Sequence, residues 1–140
     1  MVSTLTLAPS DTMSPEREAK ISIQNVTYSY GEQIALRSVS LDVPAKAITA
    51  FFGPAGGGKT TLLRLINRLN DLVDDTKMSG RILLNGGDIY APHVDVAKLR
   101  RRVGMVFALP LPLPGTIREN VLYGPRLASE RHTTRLEEIL

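Results

Sequence analysis

The chain has 140 residues, 43% of them apolar, and a formal net charge of +3. That is one domain's worth of sequence with enough apolar material for a core. The charge is too modest to mark a nucleic-acid surface, and the absence of cysteine excludes a disulfide scaffold and a thiolate metal site. No run approaches the roughly 20 apolar residues that cross a bilayer. The first residues lack the basic, apolar, small-residue order of a secretion signal. The sequence therefore predicts a cytoplasmic protein that reaches a membrane only through a partner.

In chain order, residues 1–19 (MVSTLTLAPSDTMSPEREA) are rich in Ser, Thr and Pro and predict a mobile tail. Ile21 to Tyr28 alternates apolar and polar residues, as a half-buried strand does. Ser29-Tyr30-Gly31-Glu32 predicts a turn. Ala35-Leu36 and Val39 to Val43 continue the strand pattern up to Pro44. These short strands are expected to pair antiparallel. Ala47 to Phe52 is an apolar run of strand type, and Thr61 to Leu69 has helical apolar spacing. Asp71 to Ser79 reads as a polar loop, Gly80 to Asn85 as a strand ended by Gly86-Gly87, and Val94 to Arg102 as a helix. Arg100-Arg101-Arg102 is expected on a solvated helix face. Val103 to Phe107 reads as a buried strand. Pro110, Pro112 and Pro114 each lack an N–H donor, so residues 108–115 predict an extended connector. Thr116 with Glu119 has capping-box spacing, and a short helix to about Tyr123 follows. Ser129 to Leu140 predicts the start of another helix.

Between the run ending at Phe52 and the helix beginning near Thr61 lies G-P-A-G-G-G-K-T, residues Gly53 to Thr60. It matches the phosphate-binding loop G-x-x-x-x-G-K-S/T. Glycines allow the backbone to curl into a nest whose N–H groups converge on phosphate oxygens. The following helix adds the positive end of its dipole. Lys59 supplies a mobile charge for the β- and γ-phosphates, and the Thr60 hydroxyl is the candidate Mg²⁺ ligand. The expected contacts to the bound nucleotide are Gly53, Pro54, Ala55, Gly56, Gly57, Gly58, Lys59, Thr60 and Thr61.

Five blocks in this order resemble one family. They are Y-S-Y-G-E-Q-I-A-L-R-S-V-S-L-D-V-P, the phosphate loop with T-L-L-R-L-I-N-R-L-N-D-L, G-R-I-L-L-N-G-G-D-I-Y, V-D-V-A-K-L-R-R-R-V-G-M-V-F and P-G-T-I-R-E-N-V-L-Y-G-P-R. Over residues 20–128 the chain resembles the N-terminal half of an ATP-binding-cassette (ABC) transporter ATPase. The N-R-L-N-D-L, D-I-Y and L-R-R-R-V-G-M-V-F blocks are most similar to the ATP-binding subunits that serve phosphate import. The resemblance implies an α/β fold of the P-loop NTPase type. In it an antiparallel β subdomain stands beside a RecA-like core, incomplete here because the C-terminal half is absent. Residues 129–140 would begin the helical subdomain. It implies ATP and Mg²⁺ as ligands, transmembrane permease subunits and a second ATPase subunit as partners, and a place at the cytoplasmic face of the membrane. No nucleic-acid partner is implied. Tyr30, just before Gly31, matches the aromatic that stacks on adenine, where a flat ring suits a flat base. The segment from the Pro-rich connector through Asn120 matches the face toward the membrane partner.

Two departures accompany the resemblance. The family carries Gln directly after the G-M-V-F strand, where it helps hold Mg²⁺ and positions water; here the position is Ala108, whose methyl group can do neither. The chain also ends at Leu140, before the family's signature motif, its Asp-Glu strand and its switch His. The resemblance therefore assigns no catalytic base to residues 1–140, and His93 and His132 read as surface residues. Three functions follow in order: the ATP-binding subunit of a phosphate importer in truncated form, an ABC ATPase for another cargo, and a non-catalytic ATP-binding fragment. A kinase or GTPase fits less well, because about thirty residues of strand-like sequence precede the loop and no N-K-x-D motif occurs. Losing the strands of the second half predicts poor solubility or partial unfolding for the isolated chain.

Overall fold

A computed structural model describes residues 19–127 of the chain. The expected tail, all but Ala19, and the helix expected from Ser129 lie outside the described residues. Contacts divide the chain into two compact units at Met105/Val106.

The first unit is built on two long strands, β1 (Ala19–Tyr30) and β2 (Gln33–Pro44), joined by a two-residue turn. Gly31 takes a left-handed φ of 53° there, which glycine adopts without steric cost. β3 (Thr76–Leu84) and the short β4 (Gly87–Asp88) complete an antiparallel sheet of order β2-β1-β3-β4. The β3–β4 turn is Asn85-Gly86, both at positive φ, the pairing that tight hairpins favour.

Strict alternation along β1 would send Ile23 and Asn25 to the same face. Instead Asn25 adopts φ 50°, and the register slips between Gln24 and Thr27. This bulge turns Val26 and Tyr28 inward with Ile23, so an apolar pattern broken by Gln24-Asn25 still yields one buried face. Opposite the bulge stands Gly80 at φ 89°; a Cβ there would lie 2.5 Å from the Asn25 carbonyl oxygen.

Helix α1 (Lys59–Ile66) buries Leu62, Leu65 and Ile66, the i, i+3, i+4 stripe of one helix face. The stripe meets Ile23, Val26, Tyr28, Leu36, Val39 and Ile82 of the sheet, with Ile89 and Leu99 closing the core. α1 stops three residues short of the apolar pattern because Arg68 takes a left-handed φ of 58°. The carbonyls left open at its end are claimed by Arg100 of α2 (Val96–Arg102): Nε donates to Asn67 O at 3.3 Å and Nη2 to Arg68 O at 2.7 Å. Arg100 is thus a helix-end cap, contrary to the solvated face expected for it, while Arg101 and Arg102 are exposed. A single 3₁₀ turn, Leu69–Leu72, leads on to β3.

Three expected elements differ. Ala47 to Phe52 forms no strand; Ile48 is fully exposed and Phe52 is 88% exposed. Val103 to Phe107 forms none either, and Val106 is 96% exposed. Both runs have the composition of strands buried on two faces, which persist only between paired neighbours, and the described residues supply none. Conversely, β3 begins at Thr76, inside the stretch expected to be loop. Its first four residues pair with Tyr30 to Thr27 through the backbone, which a polar composition does not forbid.

The second unit, as far as it is described, holds the connector and helix α3 (Ile117–Leu127). The connector is irregular, as its prolines require. The capping box forms as expected: Glu119 N donates to Thr116 Oγ1 at 3.2 Å, and Thr116 N to Glu119 Oε2 at 2.7 Å. α3 runs past the expected end near Tyr123 and contains Pro125.

Candidate phosphate-binding site

The expected contact residues converge at one end of the first unit. Gly53, Gly56 and Gly58 take φ of 149°, 76° and 81°. These angles curl the loop, and Gly57 N closes a turn onto Pro54 O at 3.2 Å. Gly58 is also constrained by contact: a Cβ would stand 2.7 Å from both Ala35 O and Leu36 Cδ2 of β2. The loop is pressed against the sheet at that residue, and only glycine fits.

Gly58 is the N-cap of α1 and offers no side-chain acceptor. The first N–H groups of a helix have no partner within it. With no cap from the protein and no acidic residue in the first turn, this end of α1 presents donors and a positive dipole to an incoming anion. Lys59 bends back across the loop; its Nζ donates to Gly53 O at 2.9 Å and Pro54 O at 2.7 Å. An ammonium has three donors, so the third is left for a ligand while the other two tie the loop's ends together.

Gly56, Gly57, Gly58, Lys59, Thr60 and Thr61 line a cleft of about 250 Å³, whose other wall is Tyr30, Gln33, Ile34 and Ala35. Gly53, Pro54 and Ala55 shape the loop outside the cleft lining. Tyr30 is half-buried. Its ring stands edge-on to Tyr28, with centroids 5.1 Å apart and planes at 84°, and its hydroxyl lies 3.3 Å from Thr61 Oγ1. The cleft thus lies between a wall of β-strand residues that carries the Tyr30 ring and a wall made of the glycine-rich nest and the first turn of α1. Gln33, Ile34 and Ala35 were not legible as site residues: they are ordinary strand residues, brought to the cleft by the turn at Gly31. Ala108 lies in the second unit, exposed.

Behind the loop, α1 is anchored by buried polar groups. Asn70, 2% exposed, donates from Nδ2 to Thr61 O at 3.3 Å. Tyr90 donates from its hydroxyl to Leu65 O at 3.0 Å, and burial pushes its pKa well above the ordinary phenol value. Arg68 lies over the Tyr90 ring, 4.9 Å from its centroid, and pairs with Asp71 at 2.7 Å. The N-R-L-N-D-L and D-I-Y blocks singled out in the sequence therefore form one clamp along the phosphate-loop helix, from Thr61 in its first turn to Leu65 near its end.

A strand pair, a glycine nest pressed on it and an open helix N-terminus are the parts expected of a candidate phosphate site of the P-loop class. The family model for ABC transporters matches residues 36–140, and the chain belongs to that family. The phosphate import ATP-binding protein PstB of Colwellia psychrerythraea is 51% identical over 126 residues, which make up 90% of this chain and 45% of the relative. PstB of Shewanella denitrificans is 52% identical over 122 residues, 87% of this chain and 45% of the relative. The chain spans a little under half the length of these curated relatives. Among solved structures, a bacterial Atm1-family ABC exporter with ATP bound aligns with a TM-score of 0.64 and 31% identity, covering 88% of this chain and 20% of that one. Among the described residues no helix is long and apolar enough to cross a membrane.

Proposed function

We propose that this chain binds MgATP in the cleft between Tyr30 and the phosphate loop, as the N-terminal part of an ABC ATPase that powers phosphate import. The observation carrying the nucleotide reading is the open N-terminus of α1. Gly56, Gly58 and Lys59 line, with that first turn, one cleft whose opposite wall carries the Tyr30 ring. Gly53 to Thr61 would take the phosphates, and the Tyr30 ring would take the adenine.

A magnesium ion fits this donor set. Mg²⁺ bound with a nucleotide keeps most of its shell as water and phosphate oxygen and asks the protein for one or two donors. The exposed Thr60 hydroxyl in the cleft is one such donor. When bound, the ion neutralises charge on the β- and γ-phosphates.

Identities near 50% to proteins named for phosphate import favour phosphate as cargo. In the family, permease subunits and a second ATPase subunit complete the transporter at the cytoplasmic membrane face, and we assign the same partners and place here. An exporter among the structural relatives favours a second reading in which the cargo differs. Ala108 favours a third, ATP binding without efficient turnover, because its methyl group provides neither metal ligand nor water contact.

Titration of the whole chain with ATP and Mg²⁺ by calorimetry tests the nucleotide reading. Saturable binding is expected, weakened about tenfold or more in Lys59→Ala, the effect of losing a charge-assisted hydrogen bond. Equal binding by both chains would exclude the loop as the site. Phosphate uptake by vesicles carrying phosphate permease subunits, with and without the chain, tests the cargo.

A further inference from the structure

The geometry points to Thr61 as a positioning residue that holds the Tyr30 ring ready for a nucleotide base; this rests on the nucleotide reading above. Tyr30 lines one wall of the cleft, but two soft side-chain torsions would let a free ring leave that wall. Two contacts hold it. One is the edge-on packing against Tyr28, at 5.1 Å and 84°. The other is the 3.3 Å hydrogen bond between Tyr30 Oη and Thr61 Oγ1, across 31 residues of sequence.

Thr61 is itself gripped from behind, since its carbonyl accepts from Nδ2 of the fully buried Asn70 at 3.3 Å. Asn70, Thr61 and Tyr30 thus form a line from the core, through the first turn of the phosphate-loop helix, to the aromatic wall. The same turn that meets the phosphates sets the ring for the base. A ring ordered before the ligand arrives loses less freedom on binding. The benefit falls on ligands that carry a base and is absent for a bare polyphosphate.

The test compares affinities of the whole chain for MgATP and for magnesium tripolyphosphate, which has the phosphates without the base. Tyr30→Phe keeps the ring and removes only the hydroxyl; Thr61→Val keeps the shape and removes the other partner. Each is expected to lower the ATP-to-tripolyphosphate affinity ratio about two- to tenfold, the range of one net hydrogen bond. The double variant should go no further than either single one, because the two groups share one interaction. A purely structural role would weaken both ligands together and leave the ratio alone. An unchanged ratio in Tyr30→Phe, which has the milder folding consequence, overturns the positioning role and leaves the nucleotide reading standing. Failure of the unsubstituted chain to bind either ligand overturns both.

Discussion

Gly58 is where loop conformation and sheet packing meet in one residue. Its φ of 81° is costly for any residue with a Cβ, and the space a Cβ would need is taken by Ala35 O and Leu36 Cδ2 at 2.7 Å. Both obstacles are rigid: one is backbone, the other a core leucine. Gly58→Ala should therefore destabilise the first unit by about 1–3 kcal/mol, the cost of a strained backbone residue, as read by urea unfolding. Gly56→Ala has the φ penalty alone, since nothing lies within 4 Å of its added Cβ. It should cost about 1 kcal/mol, as for one residue forced left-handed. Similar losses for the two substitutions would show that contact with β2 contributes nothing. Spacing alone marked these glycines as phosphate ligands in the sequence. It did not separate the glycine that faces open space from the one held against the sheet, because Ala35 is distant along the chain.

At the scale of elements, caps written in local sequence are formed in the fold. Asp95 caps α2 by accepting from Lys98 N at 3.0 Å, and Glu119 reaches back to Thr116 N at the start of α3. In both cases the backbone hydrogen bond is the main cause that lowers the carboxyl's pKa below its ordinary value. A carboxyl with a lowered folded pKa contributes stability above its unfolded pKa and loses it as pH falls through the folded one. Helicity of the chain should thus hold steady from neutral pH down to the ordinary carboxylate range and decline only below it. A far-UV circular dichroism titration checks this, and Glu119→Gln should remove its share of the acid-side decline. A decline centred near neutral pH would point to other groups. The Thr116–Glu119 box spans three residues and was legible, as was the apolar alternation of β1 and β2; the Asp95 cap was not, because the helix was expected to begin at Val94 and so to contain it. The strand nature of Thr76 to Ser79 was not, because it rests on backbone pairing with β1 rather than on side-chain pattern. The clamp on α1 was not legible either. Arg100 and Tyr90 meet the helix 32 and 25 residues away from their partners Arg68 and Leu65, and nothing local announces it.

For the molecule as a whole, the antiparallel sheet and α1 form a core to which the two apolar runs that composition marks as buried strands add only Phe51 and Val103, both partly buried at its margin. Ile48 and Phe52 project from the first unit unpaired, although they directly precede the phosphate loop. An apolar surface of this kind contributes nothing to the stability of the unit that carries it and favours association. Replacing it should therefore separate solubility from stability. Ile48→Glu with Phe52→Ser should leave the unfolding free energy read by urea within the change typical of a surface site, about 0.5 kcal/mol. Light scattering at high protein concentration should fall in the same variant. Leu62→Ala, in the core under α1, sets the contrasting scale at about 2–5 kcal/mol. Hydrogen exchange gives an independent reading: amides paired between β1 and β3 should be slow and those of residues 48–52 fast, since unpaired backbone opens at little cost. A large stability loss in the double variant, together with slow exchange at 48–52, would mean that the run is paired in solution. In that case the strand would be formed by association, and the phosphate loop that follows it would be held in place by a second chain.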